Sequence, residues 1–418
     1  MGALVKLVLV CLFIVVALRR KMNLGIAMLL AAVGLGLMFG MGPVKLVRGI
    51  VASVFALDSV ELAAALLVVM VLENVMRHAG FLGGMTGALG KIVRDRRAVA
   101  ALLPLLVGFL PSAGGALFSA PMVGEATQEM SMSAERRSFI NYWFRHPMEF
   151  VVPVYPGLII ASNLLRLPLP TYVKLTAPFF VIAVVSGAFV GFHGVPRAER
   201  AGSDIARPTR EDWIALANGL VPILSVVVGA VALSVDITLV LGVVAILTAL
   251  YARVPVRKLA VFAKEAVASS IIFLIAGVMA FKGVLELSGA LEELPAFFES
   301  SGVPVILVAV VMPFLVGFLT GYAPAYAGLA LPVVAGLGAP IAGGAAAATA
   351  GTFLAQRSID LAILGVVSGQ AGVMLSPAHL CLSLTVAHFG ADFGGVCKLV
   401  AIPEAILVGA AAVWTVLK

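Results

Sequence analysis

Residues 104–110 read PLLVGFL, and residues 313–319 read PFLVGFL. The two stretches lie 209 residues apart in a chain of 418, so the offset is half the length. At the same offset Met70, Val75 and Gly80 meet Met279, Val284 and Gly289. Leu and Val are so frequent here that their matches alone carry little weight. A register that also keeps Pro, Gly, Met and Phe points to an internal duplication. In a chain this apolar, duplication is the mark of carriers built from two structural repeats with the ligand held between them.

Composition places the chain in a membrane. Apolar residues make up 62% and charged residues 12%, about half the charged share of an ordinary soluble domain. Candidate spans are 3–18, 23–41, 59–76, 148–164, 171–193, 213–233, 236–251, 266–281, 361–375, 378–389 and 396–417. Most approach the roughly 20 residues needed to cross the hydrocarbon core. Cys11, Cys381 and Cys397 sit in or beside apolar segments and offer neither a disulfide framework nor a zinc spacing. The positive excess fits topology better than nucleic acid. Basic residues gather at 77–97, 136–145, 197–210 and 253–264. All fall on the cytoplasmic side if 98–126 is a hairpin that does not cross. The basic cluster Arg19-Arg20-Lys21 follows the first apolar run, so that run reads as a span and not as a cleaved signal.

Each copy carries a hairpin. In the first, the arm that enters at 98 breaks at Pro111-Ser112-Ala113-Gly114-Gly115 and returns to 126. In the second, an arm from 303 breaks at Thr320-Gly321-Tyr322-Ala323-Pro324 and returns to 337. Non-helical backbone at membrane depth is tolerated only where protein or a water-filled cavity covers it. The start of each return arm suits an anion, and carbonyls at the end of each entering arm suit Na⁺. Two broken helices follow, at 136–164 and 361–389. Aligning Pro147 with Pro377 sets Ser138 opposite Ser368 and Glu149 opposite His379. The candidate polar contacts are Asn141, His146 and Glu149 in the first copy and Gln370, Ser376 and His379 in the second. For Arg145 and His146, a place in the cytoplasmic interface weighs equally. Short amphipathic stretches at 43–56, 84–97, 253–264 and 289–302 lie along the interfaces. Glu73 and Lys282 occupy equivalent positions with opposite charge; they either neutralise each other or reach separate interfaces.

The stretch PSAGGALFSAPMV, Pro111 to Val123, in a chain of this size and span pattern, resembles the membrane proteins grouped as domain of unknown function 401. The resemblance covers the whole chain in architecture, while its sharpest motif is confined to that stretch. It implies membership of the ion-transporter superfamily, with gluconate and lactate permeases, citrate and dicarboxylate carriers, arsenite and sodium–proton antiporters, and the large membrane subunits of tripartite transporters. It also implies a homodimeric elevator, in which a scaffold holds the dimer and the hairpins and broken helices carry the substrate. Carriers of that superfamily often place Ser-Asn-Thr at both tips for sodium. Here the tips read Ser112-Ala113-Gly114 and Thr320-Gly321-Tyr322, with Asn in neither.

The expected architecture is therefore an all-α polytopic protein of the cell membrane, built from two inverted repeats. These are 1–195 and 213–418, each with about five spans and one hairpin, joined by a cytoplasmic linker at 196–212. The expected function is secondary transport of a small organic anion coupled to H⁺ or Na⁺, with no other cofactor. The substrate would bind among Ser112, Ala113, Gly114, Gly115, Thr320, Gly321, Tyr322 and Pro324, with Asn141, Glu149, Gln370, Ser376 and His379 at the sides. Tyr322 and Tyr326 would gate the second hairpin or pack on the scaffold. A coupling Na⁺ would lie near Ser112 and Thr320. The alternative is a cation/proton antiporter titrating Glu149 and His379; a channel or an intramembrane enzyme using Ser376 and His379 are weaker readings. No Walker loop is present, so nothing in the chain drives ATP-dependent pumping.

Overall fold

In the computed structural model, residues 3–20, 22–93, 95–109, 115–195, 208–268, 271–289, 302–337 and 356–417 are described. Every regular element among them is helical. The first half contains α1 (Ala3–Arg19), α2 (Leu24–Met38), α3 (Pro43–Val54), α4 (Leu57–His78), α5 (Phe81–Ile92), α6 (Arg96–Val107), α7 (Ala116–Thr127), α8 (Ala134–Trp143), α9 (Pro156–Leu164) and α10 (Leu169–Phe192). The second contains α11 (Arg210–Val227), α12 (Ile237–Tyr251), α13 (Val256–Ala268), α14 (Ile271–Leu287), α15 (Val305–Thr320), α16 (Ala323–Leu329), α17 (Leu331–Leu337), α18 (Gln356–Leu375), α19 (Leu380–Phe389) and α20 (Phe393–Leu417). Six helical stretches among the described residues are long and apolar enough to cross a bilayer. The chain is a multi-pass helical membrane protein.

Apolar runs this long could slide in register, and polar caps fix where they begin. Asn23 Oδ1 accepts from the amides of Gly25 and Ile26, and Asp95 Oδ1 accepts from those of Arg97 and Ala98. Ser133 caps α8, and Thr209 with Asp212 forms a reciprocal box at the start of α11. Each cap supplies an acceptor to amides that the helix itself leaves unpaired.

Between the helices, small residues let backbones touch. A Cβ on Gly25 would fall 2.0 Å from the Phe273 carbonyl oxygen, and one on Gly277 would fall 2.3 Å from that of Gly25, so α2 and α14 meet main chain to main chain. α15 and α18 meet in the same way at Gly317, Gly369 and Gly372. Such close approach substitutes for the hydrophobic drive that lipid removes. Elsewhere α12 packs on α4, α7 on α19, α16 on α9, and α10 on α20.

Helices α6 and α7 cover the stretch expected as the first hairpin, and α15, α16 and α17 the stretch expected as the second. The first tip, Pro111-Ser112-Ala113-Gly114, lies outside the described residues, as does most of the stretch 289–302. The expected span 148–164 is instead a short 3-10 turn at Pro147–Phe150, an irregular stretch, and then α9. Pro147, Pro153 and Pro156 deny it continuous helical hydrogen bonding. The pairing of Glu73 with Lys282 is not found. Glu73 takes Arg77, one turn along its own helix, at 2.5 Å, a partner close enough to make a cross-repeat contact unnecessary.

Candidate functional site

The interruptions between α8 and α9 and between α18 and α19 both lie beside the turn at Gly321. α15 ends at Thr320, and Gly321 turns the chain with φ +63° into α16. α18 ends at Leu375, and Ser376 to His379 carry the chain into α19. The tip and this break touch: a Cβ on Gly321 would lie 2.6 Å from the His379 amide nitrogen. From the first half of the chain, Gly157 at the start of α9 meets Ala323. The three elements enclose a cavity of about 440 Å³.

Arg145, His146, Glu149, Gln370, His379 and Cys381 supply its polar wall, together with Thr320 to Pro324 and Tyr155, Tyr172 and Tyr326. Gln370 Nε2 donates to Glu149 Oε2 at 3.0 Å, and Tyr326 Oη donates to Gln370 Oε1 at 3.4 Å. Glu149 Oε1 faces His146 Nε2 at 3.8 Å. The imidazoles of His146 and His379 stand edge to face, 4.9 Å between centroids. Arg145 Nη1 donates to Cys381 Sγ at 2.9 Å. Ionisable groups buried inside a membrane protein are expensive, and they gather where a ligand or an ion is handled.

Two helices begin at this cavity. α9 starts after Tyr155 and α19 after His379, and neither has a side-chain cap. Gly157 and Leu158 of α9 and Leu380 and Cys381 of α19, whose amides have no intrahelical acceptor, line the same space as Arg145.

Of the residues expected at a binding site, Glu149, Gln370, His379, Thr320, Gly321, Tyr322 and Pro324 line the cavity. Asn141 does not. Its amide is sealed in a buried joint, donating to the Ala116 carbonyl and Thr385 Oγ1 and accepting from Ser119 Oγ. Ser376 is also a joint, donating to the Phe318 carbonyl at 2.5 Å and accepting from the Ala378 amide. Thr320 lines the cavity, but its hydroxyl hydrogen goes to the Val316 carbonyl of its own helix. Gly115, the described member of the first tip, is not in the wall. Ser112, Ala113 and Gly114, and with them the Na⁺ expected near Ser112, lie outside the described residues. Tyr326 is buried and packed against Gly369, whereas Tyr322 remains partly open at the cavity mouth.

Arg145 and His146 are buried, 4% and 3% exposed, in the cavity wall. Sequence spacing showed no metal-ligand set, yet the fold brings His146, His379 and Cys381 together, with one ligand atom from each within 4.8 Å of the others. Cys381 carried no signal. For α9 the signal was Tyr155-Pro156, since proline at a first helical position marks a start.

The model of the family described as "Protein of unknown function (DUF401)" matches residues 3–418. The chain belongs to the DUF401 family. No curated protein matches it. In this DUF401 chain the match takes in every cavity residue named above.

Proposed function

We propose that this protein is a secondary active transporter, not an enzyme, that moves a small organic anion across the cell membrane by an elevator-type alternating-access cycle coupled to H⁺ or Na⁺. The observation that carries the reading is the cavity in which Arg145 and two uncapped helix starts, α9 and α19, converge on one enclosed space. Backbone amides and a guanidinium recognise a carboxylate or similar anion without needing an acid at the site.

Two inverted repeats account for how the helices pair. Under the half-chain offset, α2 corresponds to α12 and α4 to α14. The contacts α2 on α14 and α12 on α4 are then the same contact seen from either repeat. The pairs α7 on α19 and α16 on α9 exchange in the same way, and α10 meets its own counterpart α20. Gly80 and Gly289, one offset apart, both take left-handed φ values, +72° and +75°. We assign α6 to α9 and α15 to α19 to the moving unit. The remaining helices form the scaffold of a homodimer.

Counterflow in proteoliposomes tests the proposal. Purified protein loaded with a panel of small carboxylates should give saturable counterflow for at least one of them. Arg145→Gln should abolish it in protein that still elutes as a folded species. Ohmic current would indicate a channel, and a chemically altered substrate an enzyme; either outcome refutes the carrier.

A further inference from the structure

The polar wall of the cavity holds a group of side chains that anion binding does not use. His146 Nδ1 lies 2.7 Å from the Tyr142 carbonyl oxygen, and His379 Nδ1 lies 3.2 Å from that of Val373. A carbonyl only accepts, so each Nδ1 carries the proton and each Nε2 presents a lone pair. Imidazoles held in this tautomer by a backbone acceptor are the usual state of metal-binding histidines. Cys381 Sγ stands beside them, and one nitrogen of each ring lies with it inside a 4.8 Å circle. Glu149 stands beside this group, next to His146 and outside the 4.8 Å set. Gln370 occupies its Oε2, while Oε1 is turned toward His146 Nε2 at 3.8 Å. That separation is long for a hydrogen bond and near the roughly 3.3–3.6 Å between ligands of a tetrahedral ion with bonds of about 2.0–2.3 Å.

We propose that His146, His379 and Cys381, with Glu149 as fourth ligand, form a site for a divalent transition-metal ion of the zinc class. The donor set of two nitrogens, one sulfur and one carboxylate oxygen favours Zn²⁺ or Co²⁺ over Na⁺, Mg²⁺ or Ca²⁺, which need shells of oxygen. The three ligand atoms, within 4.8 Å of one another, must draw together to reach bonding distance, and the Glu149 carboxylate must swing in to join them. All four line one cavity, and His379 and Cys381 share a helix start that packs against the Gly321 turn. Arg145 does not oppose the ion. Its N–H points at the sulfur, the contact that steadies a metal-bound thiolate, and the thiol proton leaves to solvent when the ion binds. The ion, Arg145, the thiolate and the Glu149 carboxylate then sum to one positive charge. A single monovalent anion in the remaining space neutralises it. The inference thus rests on the carrier reading for its place in a cycle, with the ion and Arg145 holding the anion between them.

Binding of Co²⁺ alone, to chelator-treated protein in detergent and without any anion, tests the site. The wild type should take up one equivalent and show an intense sulfur-to-cobalt charge-transfer band. Cys381→Ser should abolish that band, and His379→Ala should weaken binding by at least about tenfold. Cys397→Ser should change neither. A thermal melt of each variant separates loss of ligand from loss of fold. If a variant melts early, His146→Gln and Glu149→Gln provide the same comparison, each weakening uptake. No stoichiometric uptake by the wild type, or uptake that survives Cys381→Ser with its spectrum unchanged, overturns the proposal. Because no transport is measured, such a failure leaves the carrier reading standing, while counterflow that fails in Co²⁺-binding protein would leave the metal site standing.

Discussion

Asn141 ties three elements together through one side-chain amide. It holds the start of α7 through Ala116 and Ser119, and α19 through Thr385, all in buried space. Asn141→Ala removes the donor to buried Thr385 Oγ1 and the acceptor of Ser119 Oγ, which keeps only its long bond to the Ala116 carbonyl at 3.4 Å. The expected outcome is a loss of about 1–3 kcal/mol, read as a lower unfolding midpoint, with cobalt uptake unchanged in the protein that survives. Glu404 poses the opposite case. It is 3% exposed, its Oε2 has no hydrogen-bond partner, and it shares a wall with Val310, Phe314 and Leu315. A buried polar group without a partner is a net cost, so Glu404→Met should raise the unfolding midpoint by about 1 kcal/mol or more. A fall instead would mean that Glu404 has a structural partner. Glu135, at the exposed start of α8, accepts from its own amide and from the Asp392 amide at 3.2 Å, which holds its carboxyl below the ordinary value of 4.5. A depressed acid stabilises above its unfolded value and loses that contribution as pH falls through its folded one. The small stability difference between wild type and Glu135→Gln should therefore persist at neutral pH and vanish in acid.

At the scale of elements, the breaks decide where the cavity forms. Gly321 combines a left-handed φ with a 2.6 Å approach to the His379 amide. Gly321→Ala should lower stability by about 1–3 kcal/mol and push the tip away from α19. Loss of both stability and cobalt uptake is expected, and a variant that keeps both would show that the tip does not hold the break. These breaks were legible in the sequence. Pro147, Pro377 and the Thr320–Pro324 run announce backbone that cannot remain helical, and the shared LVGFL sets the two tip stretches in one register. Gly108 and Gly317 of that motif turned out to be crossing points: a Cβ on Gly108 would meet the Arg145 carbonyl, and one on Gly317 that of Gly369. What the sequence hid were the partners across the cavity. His146 and Cys381 come from opposite halves, and no local spacing connects them. Asn141 and Ser376 were singled out for polarity in an apolar run, a signal that a buried joint and a binding site produce alike.

At the scale of the whole molecule, basic side chains converge on the two ends of the linker. Lys91 binds Asp212 at 2.8 Å, Arg136 binds the His193 carbonyl at 2.9 Å, and Arg97 binds that of Val195. Two sequence-distant basic segments, 77–97 and 136–145, thus reach the two linker ends. His78 at the end of α4 meets Phe262 of α13, which brings the basic stretch 253–264 toward the same end of α4. Arg166, after α9, lies 3.9 Å from Glu286 near the end of α14. If positive charge marks the cytoplasm, α4 ends inside, and inversion of one repeat then requires α14 to end outside. Single cysteines in a background lacking Cys11, Cys381 and Cys397 test this. With a membrane-impermeant maleimide, Glu286→Cys should label in intact cells, and Ser203→Cys in the linker only after permeabilisation. Labelling of Ser203→Cys from outside would place the basic face outward. Labelling of both positions from one side would remove the inversion, because α4 and α14 would then no longer be related by the reversal that makes their shared packing on α12 and α2 a single contact.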